Sequence, residues 1–252
     1  MDSGGLFVAE RAGINLYAER SLHAALKAYL AEPGDRLEVA VDGRVVDLAR
    51  ADGELVEVQT RSLGALLPKL RAFSAAGRRV RVVHPIILGS TVARLDPESG
   101  VELSRRKSPK KGDLFSVFDE LVRAAELIAL PGVALELVSV RVVETRVRDG
   151  SGSWRRKGDR VADRLLECIE ERREFGSRED WLSLIPAELA PPWDSGTLGE
   201  ALGIKPERAR KMLYAFARAG FLREDGKAGR RKRYAPLLEP EPRAVRRAAA
   251  AD

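Results

Sequence analysis

Residues 47–59 read DLARADGELVEVQ. The stretch predicts two short strands joined by a tight turn, with carboxylates set inside a run of Val and Leu. Upstream, Asp42-Gly43 is a strong two-residue hairpin signal. It places Val41 opposite Arg44, so Leu37 faces Leu48 and Glu38 faces Asp47. Downstream, Ala51, Asp52 and Gly53 read as a three-residue loop with Gly in the left-handed position. That loop sets Arg50 opposite Glu54 and Asp47 opposite Glu57. A two-residue loop at Asp52-Gly53 is the alternative, and it brings Val58 opposite Asp47 instead.

Side chains alternate along a strand, so the three-residue loop separates two faces. One carries Leu37, Val39, Val46, Leu48, Val56 and Val58. The other carries Glu38, Asp47, Glu57 and Gln59 among Ala40, Val45, Ala49 and Leu55. The second face is half apolar, so the first helix is expected to cover part of it. Like charges placed opposite each other on such a face repel. A divalent cation is one remedy, since magnesium takes one or two carboxylates along with water and phosphate oxygens. A solvated acidic face is the plain alternative.

Working outward, apolar spacing predicts a helix over 14–30, ended by Pro33-Gly34. Strands follow at 36–41, 44–50 and 54–59. Residues 62–75 read as a helix that Pro68 kinks or restarts, and 78–86 as a strand ending at His84-Pro85. A hairpin around DPESG, a helix over 113–129 and a Val-rich strand over 133–147 complete the first domain, 1–148. DGSGSWRRKGD, 149–159, reads as a linker. Residues 160–174 read as a helix and 178–185 as a short one. TLGEALGI, KPERARKMLYAFARAG and FLREDGKAGRRKRYAPL then predict a helix, a turn, a second helix and a basic hairpin, within a domain spanning 160–238. The tail, 239–252, has a disordered composition.

The order α-β-β-β-α-β, with Asp47 on the second strand and Glu57-Val58-Gln59 on the third, resembles the PD-(D/E)XK nuclease superfamily. The likeness covers roughly residues 14–90. It implies a restriction-endonuclease-like mixed α/β sheet and metal-dependent hydrolysis of a phosphodiester. By that likeness Asp47 and Glu57 bind Mg2+ or Mn2+, and Glu19 on the first helix turns toward the metal. His23 lies one helical turn beyond Glu19 on the same side. Gln59 takes the place of the usual lysine and brings no positive charge, a departure from the motif; Lys69 is a candidate substitute cation. The likeness also implies a homodimer, with one active centre per strand.

Residues 160–238 resemble a winged helix-turn-helix domain, an α+β module. On the helix from Pro206 to Ala219, Ala209, Met212, Leu213, Phe216 and Ala217 form the buried stripe. Glu207, Lys211, Tyr214 and Arg218 project oppositely, with Arg208 and Arg210 at the margins. Such a face reads base edges and phosphates in a major groove. The hairpin tip carries Arg230, Arg231, Lys232 and Arg233, which suits a wing on the phosphate backbone. A second basic cluster, Arg105, Arg106, Lys107, Lys110 and Lys111 in SRRKSPKKG, reads as a loop that helps hold substrate.

The bulk numbers agree with an acidic partner. The 252-residue chain has a formal net charge of +6, and nucleic acid is the first candidate. Cys168 is the only cysteine, so no internal disulfide can form. The absence of long apolar runs and of a secretory signal points to a cytoplasmic protein without membrane contact. The sequence therefore predicts a metal-dependent DNA endonuclease brought to duplex or branched DNA by a winged helix. The alternative is a nuclease-fold DNA-binding regulator without catalysis. An RNA-processing factor or protein adaptor is a third reading.

Overall fold

A computed structural model describes residues 21–151 and 158–237. Expectations for Ile14, Ala18 and Glu19, for most of 149–159 and for the 239–252 tail fall outside those residues. The class is mixed α/β, with a seven-stranded mixed sheet and a small two-stranded one.

The sheet grows from the quoted stretch. Helix α1 (Leu22–Leu30) starts at Ser21, whose hydroxyl accepts from Ala24 N–H. Strands β1 (Arg36–Val41), β2 (Arg44–Ala49) and β3 (Leu55–Val58) follow. Val41 pairs with Arg44 and Leu37 with Leu48, as the Asp42-Gly43 turn requires. Leu48 pairs with Val56 and Ala49 with Leu55. Arg50 N–H donates to Glu54 O at 2.8 Å, closing the three-residue loop around Gly53 (φ +88°). Extending that register by one step sets Asp47 across from Glu57.

A 3-10 turn leads into α2 (Leu67–Ala75), which restarts at Pro68 in its first turn. The long strands β4 (Val80–Leu95), β5 (Glu102–Lys111), β6 (Val133–Arg148) and β7 (Asp159–Phe175) complete the sheet, with α3 (Phe118–Ala124) between β5 and β6. Strand order is β1-β2-β3-β4-β6-β7, with β5 on the far half of β4.

Several expectations are corrected. The helix predicted over 160–174 is strand β7. Its charges suit a helix surface, but they are spent across the neighbouring strand. Glu136 accepts from Arg172, Glu170 from Arg141, and Glu144 stands 3.3 Å from Arg164. These pairs make β6 and β7 antiparallel, and charge along a terminal strand guards it against further pairing. His84-Pro85 lies inside β4 rather than at a strand end. SRRKSPKKG is mostly strand β5 rather than a loop; Arg105 pairs with Ala93, Arg106 with Val92 and Lys107 with Thr91. The helix over 113–129 is a short α3 flanked by two 3-10 segments.

The first helix also covers a different face from the expected one. Leu22, Leu26 and Leu30 pack with Leu48, Val56 and Val58, together with Val83, Val138, Val140 and Val142. The wholly apolar face attracts the helix, since burying it removes more hydrocarbon from water.

The chain gathers into two compact units that interleave in sequence. One holds the described residues up to Arg61, with Val82–Leu114 and Glu136–Arg173. The other holds Ser62–Arg81, Phe115–Leu135 and the described residues from Glu174 onward. This differs from the expected division at 149–159, because the segments around α2 and α3 join the C-terminal elements.

Those elements are α4 (Arg178–Leu182), α5 (Ser195–Leu202), α6 (Pro206–Arg218) and the hairpin β8 (Leu222–Ala228) and β9 (Arg231–Pro236). Asp194 caps α5 reciprocally with Thr197, and Gly203 ends it in the left-handed region. Pro206 opens α6, where a missing N–H costs nothing. Trp193 exchanges backbone hydrogen bonds with Tyr234 at 2.7 and 2.8 Å, tying the segment before α5 to β9. The core of this unit is aromatic. Trp181 stacks on Phe175, and Phe118 meets both Trp181 and Phe216 edge-on.

Candidate nucleic-acid interface and the acidic pair

α6 buries Ala209, Met212, Leu213, Ala215 and Phe216. The buried stripe therefore takes Ala215, while the predicted Ala217 is only half buried. The polar side divides in two. Lys211 Nζ donates to Asp119 of α3 at 2.8 Å, and Arg208 Nη2 stands 3.6 Å from the same carboxylate. Lys211 also lies 3.4 Å from Glu207. The bond it donates to Asp119 is the main cause that raises the Lys211 ammonium above its ordinary range. Two cations expected to meet DNA are thus held by protein carboxylates.

Arg210 and Tyr214 face elsewhere. They line a groove of about 430 Å³ with Ser195, Leu213, Arg230, Arg231, Lys232 and Tyr234. The helix side comes from positions 210, 213 and 214, neighbours at the i, i+3, i+4 spacing. The hairpin side comes from the two-residue turn Gly229-Arg230, closed by the Ala228–Arg231 pair. Lys232 and Tyr234 share one face of β9 by strand alternation. Lys232 Nζ donates to Glu224 at 2.7 Å, and Arg231 stands 3.6 Å from Asp194. Among the described residues, Arg210 and Arg230 have no carboxylate partner. Burial raises the Tyr234 phenol above its ordinary value. Arg233 does not line the groove.

The sequence places Tyr234 on the second strand of the hairpin, without a binding role, and does not point to Ser195. The R-K-R-Y alternation in β9 carries a signal for Tyr234. Nothing local signals Ser195 or the Asp119 counter-charge, since both depend on tertiary packing.

In the sheet unit, Arg106, Lys107, Lys110 and Lys111 are exposed on β5, and Arg105 is clasped by Glu102 at 2.8 Å.

The acidic residues Asp47 and Glu38 of the sheet have partners on β3 and α1. Asp47 Oδ2 accepts from Val58 N–H at 2.9 Å and lies 3.4 Å from His23 Nε2 on α1. Glu38 has a positive φ of 49°, and its carboxylate takes Lys27 of α1 at 2.5 Å. That ammonium holds the Glu38 carboxyl below its usual range. Glu57 is buried, 5% exposed. Gln59 gives its backbone N–H to Val83 O at 2.9 Å, and its carbonyl lies 2.6 Å from His84 Nδ1. A carbonyl only accepts, so that ring nitrogen carries the proton. Asp47 thus accepts from a backbone N–H beside an imidazole, and Glu38 meets an ammonium. Among the described residues, no three His, Cys, Asp or Glu stand where they could hold a metal ion.

No helix among the described residues is long and apolar enough to cross a membrane. The chain belongs to the family described as Domain of unknown function (DUF8091), which matches residues 20–176. It is also 32% identical to an uncharacterized protein of Treponema pallidum (strain Nichols) over 222 residues, 88% of this chain and 86% of that protein. No solved structure matches it.

Proposed function

We propose that this DUF8091 protein binds duplex DNA through a winged helix-turn-helix built from α5, α6 and the β8–β9 hairpin, carried with a nuclease-like sheet that does not itself cut. The observation that carries this reading is the convergence of Arg210 and Tyr214 from the helix with Arg230, Arg231 and Lys232 from the hairpin. A guanidinium without a protein carboxylate offers its full fork of donors to a phosphate. Lys211 and Arg208 are held by Asp119, so the contact is assigned to the Arg210 side of α6. The exposed cations of β5 are a second phosphate-binding candidate in the other unit.

The test is fluorescence anisotropy of the full chain on a short duplex. The double variant Arg210→Ala/Arg230→Ala is expected to bind at least about tenfold more weakly at low salt, since each lost phosphate contact weakens a strongly electrostatic association. Unchanged affinity overturns the assignment.

A second reading, phosphodiester hydrolysis at Asp47 and Glu57, is favoured by one observation. The α-β-β-β-α-β order and the β1-β2-β3-β4 strand neighbours accord with the restriction-endonuclease-like scaffold, with the two carboxylates across from each other by register. Metal-dependent nicking of plasmid that is lost in Glu57→Gln, with duplex binding kept, would establish it. Homodimerisation belongs to the same reading.

A further inference from the structure

We propose that the groove between α6 and the β8–β9 hairpin is a site for a single unpaired nucleotide bearing a phosphate, its base against Tyr214 and Tyr234 and its phosphate on Arg210 and Arg230. This deepens the DNA-binding reading and rests on it for the strand-end form of the ligand.

Shape is the first argument. A helix that enters a major groove presents a convex surface to the duplex. Here the same helix forms one wall of a concavity of about 430 Å³, within the roughly 300–1,000 Å³ of small-ligand sites. Such a space suits one nucleotide.

Chemistry is the second. Tyr214 is 44% exposed and lines the groove beside the buried Leu213. Tyr234 stands half-buried on the hairpin wall. Aromatic faces take any base by stacking, with little regard for sequence. Leu213 gives the groove an apolar back, and Ser195 a hydroxyl.

Charge is the third. Four cations line the groove, and two of them, Arg231 and Lys232, have neighbouring carboxylates in Asp194 and Glu224. Among the described residues that leaves Arg210 and Arg230, a surplus of two positive charges. A phosphate monoester carries about −1.5 to −2 at neutral pH, whereas an internal diester carries one negative charge. The balance favours a terminal phosphate, which occurs on a strand end or on a free nucleotide.

The experiment uses the full chain. Anisotropy compares a blunt duplex with the same duplex carrying a 5′-phosphorylated single-stranded overhang, and calorimetry titrates deoxyadenosine 5′-monophosphate directly. Tighter binding of the overhang, by about tenfold, is expected from one added stack. Tyr214→Ala should erase that preference, and Tyr214→Phe should keep it, because the stack needs only the ring. Equal affinity for blunt and overhang duplexes, with no heat from the mononucleotide, overturns the proposal even where duplex binding itself holds. A mononucleotide that binds, and is lost in Arg210→Ala/Arg230→Ala, supports the site with a free nucleotide as ligand, even where no duplex binds and the broader DNA-binding reading fails.

Discussion

Lys211 on α6 donates to Asp119 on α3 at 2.8 Å, so a residue placed like a base-reading contact is tied to its own protein. The pair fixes which side of α6 is left for a ligand. Asp119→Ala removes the negative charge beside Lys211 and Arg208. Duplex affinity at low salt is expected to rise severalfold, as the positive field of this side of α6 strengthens. Stability should change by no more than about 1 kcal/mol, the usual range for an exposed pair. Weaker duplex binding would contradict the geometry.

Glu144 predicts an acid limb in stability. Burial alone would raise its carboxyl, but Arg146 at 2.6 Å and Arg164 at 3.3 Å overcome it and hold the group below its usual range. A carboxyl lowered in the folded state stabilises above its unfolded pKa and loses that contribution as pH falls through the folded value. Wild-type stability should therefore fall below about pH 4.5. Glu144→Gln should cost about 2 kcal/mol near neutrality and flatten that limb. Parallel pH profiles in denaturant titrations would contradict it.

Trp181 holds the aromatic centre of the second unit, stacked on Phe175 and edge-on to Phe118 and Phe216. Trp181→Ala should cost about 3–5 kcal/mol, read by chemical denaturation. Trp181→Phe should recover part of that loss. A cost under about 1 kcal/mol would mean the unit is organised elsewhere.

Asp47 separates a structural role from a catalytic one. Its carboxylate satisfies Val58 N–H, so Asp47→Ala should destabilise by about 1–3 kcal/mol, and Asp47→Asn by less, because an amide oxygen still accepts. Under the hydrolase reading both variants lose nicking in Mg2+ while duplex binding persists. If Asp47→Asn is as stable as wild type yet abolishes metal-dependent nicking, the carboxylate acts in chemistry.

Turn chemistry made the first sheet legible. Asp42-Gly43 and Gly53 set two hairpin registers, which the structure shows from Arg36–Ala49 to Val41–Arg44 and at Leu48–Val56 and Ala49–Leu55. What alternation could not foresee was Glu38 at positive φ turning its carboxylate to Lys27, and Asp47 finding Val58 N–H and His23. Strand β7 was illegible because a charged terminal strand and a polar helix share a composition. Its identity lies in partners on β6, thirty or so positions away. In the C-terminal unit the helix, turn and hairpin were readable from Pro206, Gly203 and Gly229. The choice between Lys211 and Arg210 was not, since it rests on Asp119, a residue 92 positions from Lys211.

The salt dependence of duplex binding tests the central claim most directly. Plotting log affinity against log salt for the full chain should give a slope of about −2 to −4, as expected for a few neutralised phosphates. In Arg210→Ala/Arg230→Ala the slope should become shallower by about 2. Affinity that ignores salt, or a slope the double variant leaves unchanged, would contradict the assignment of this groove to nucleic acid.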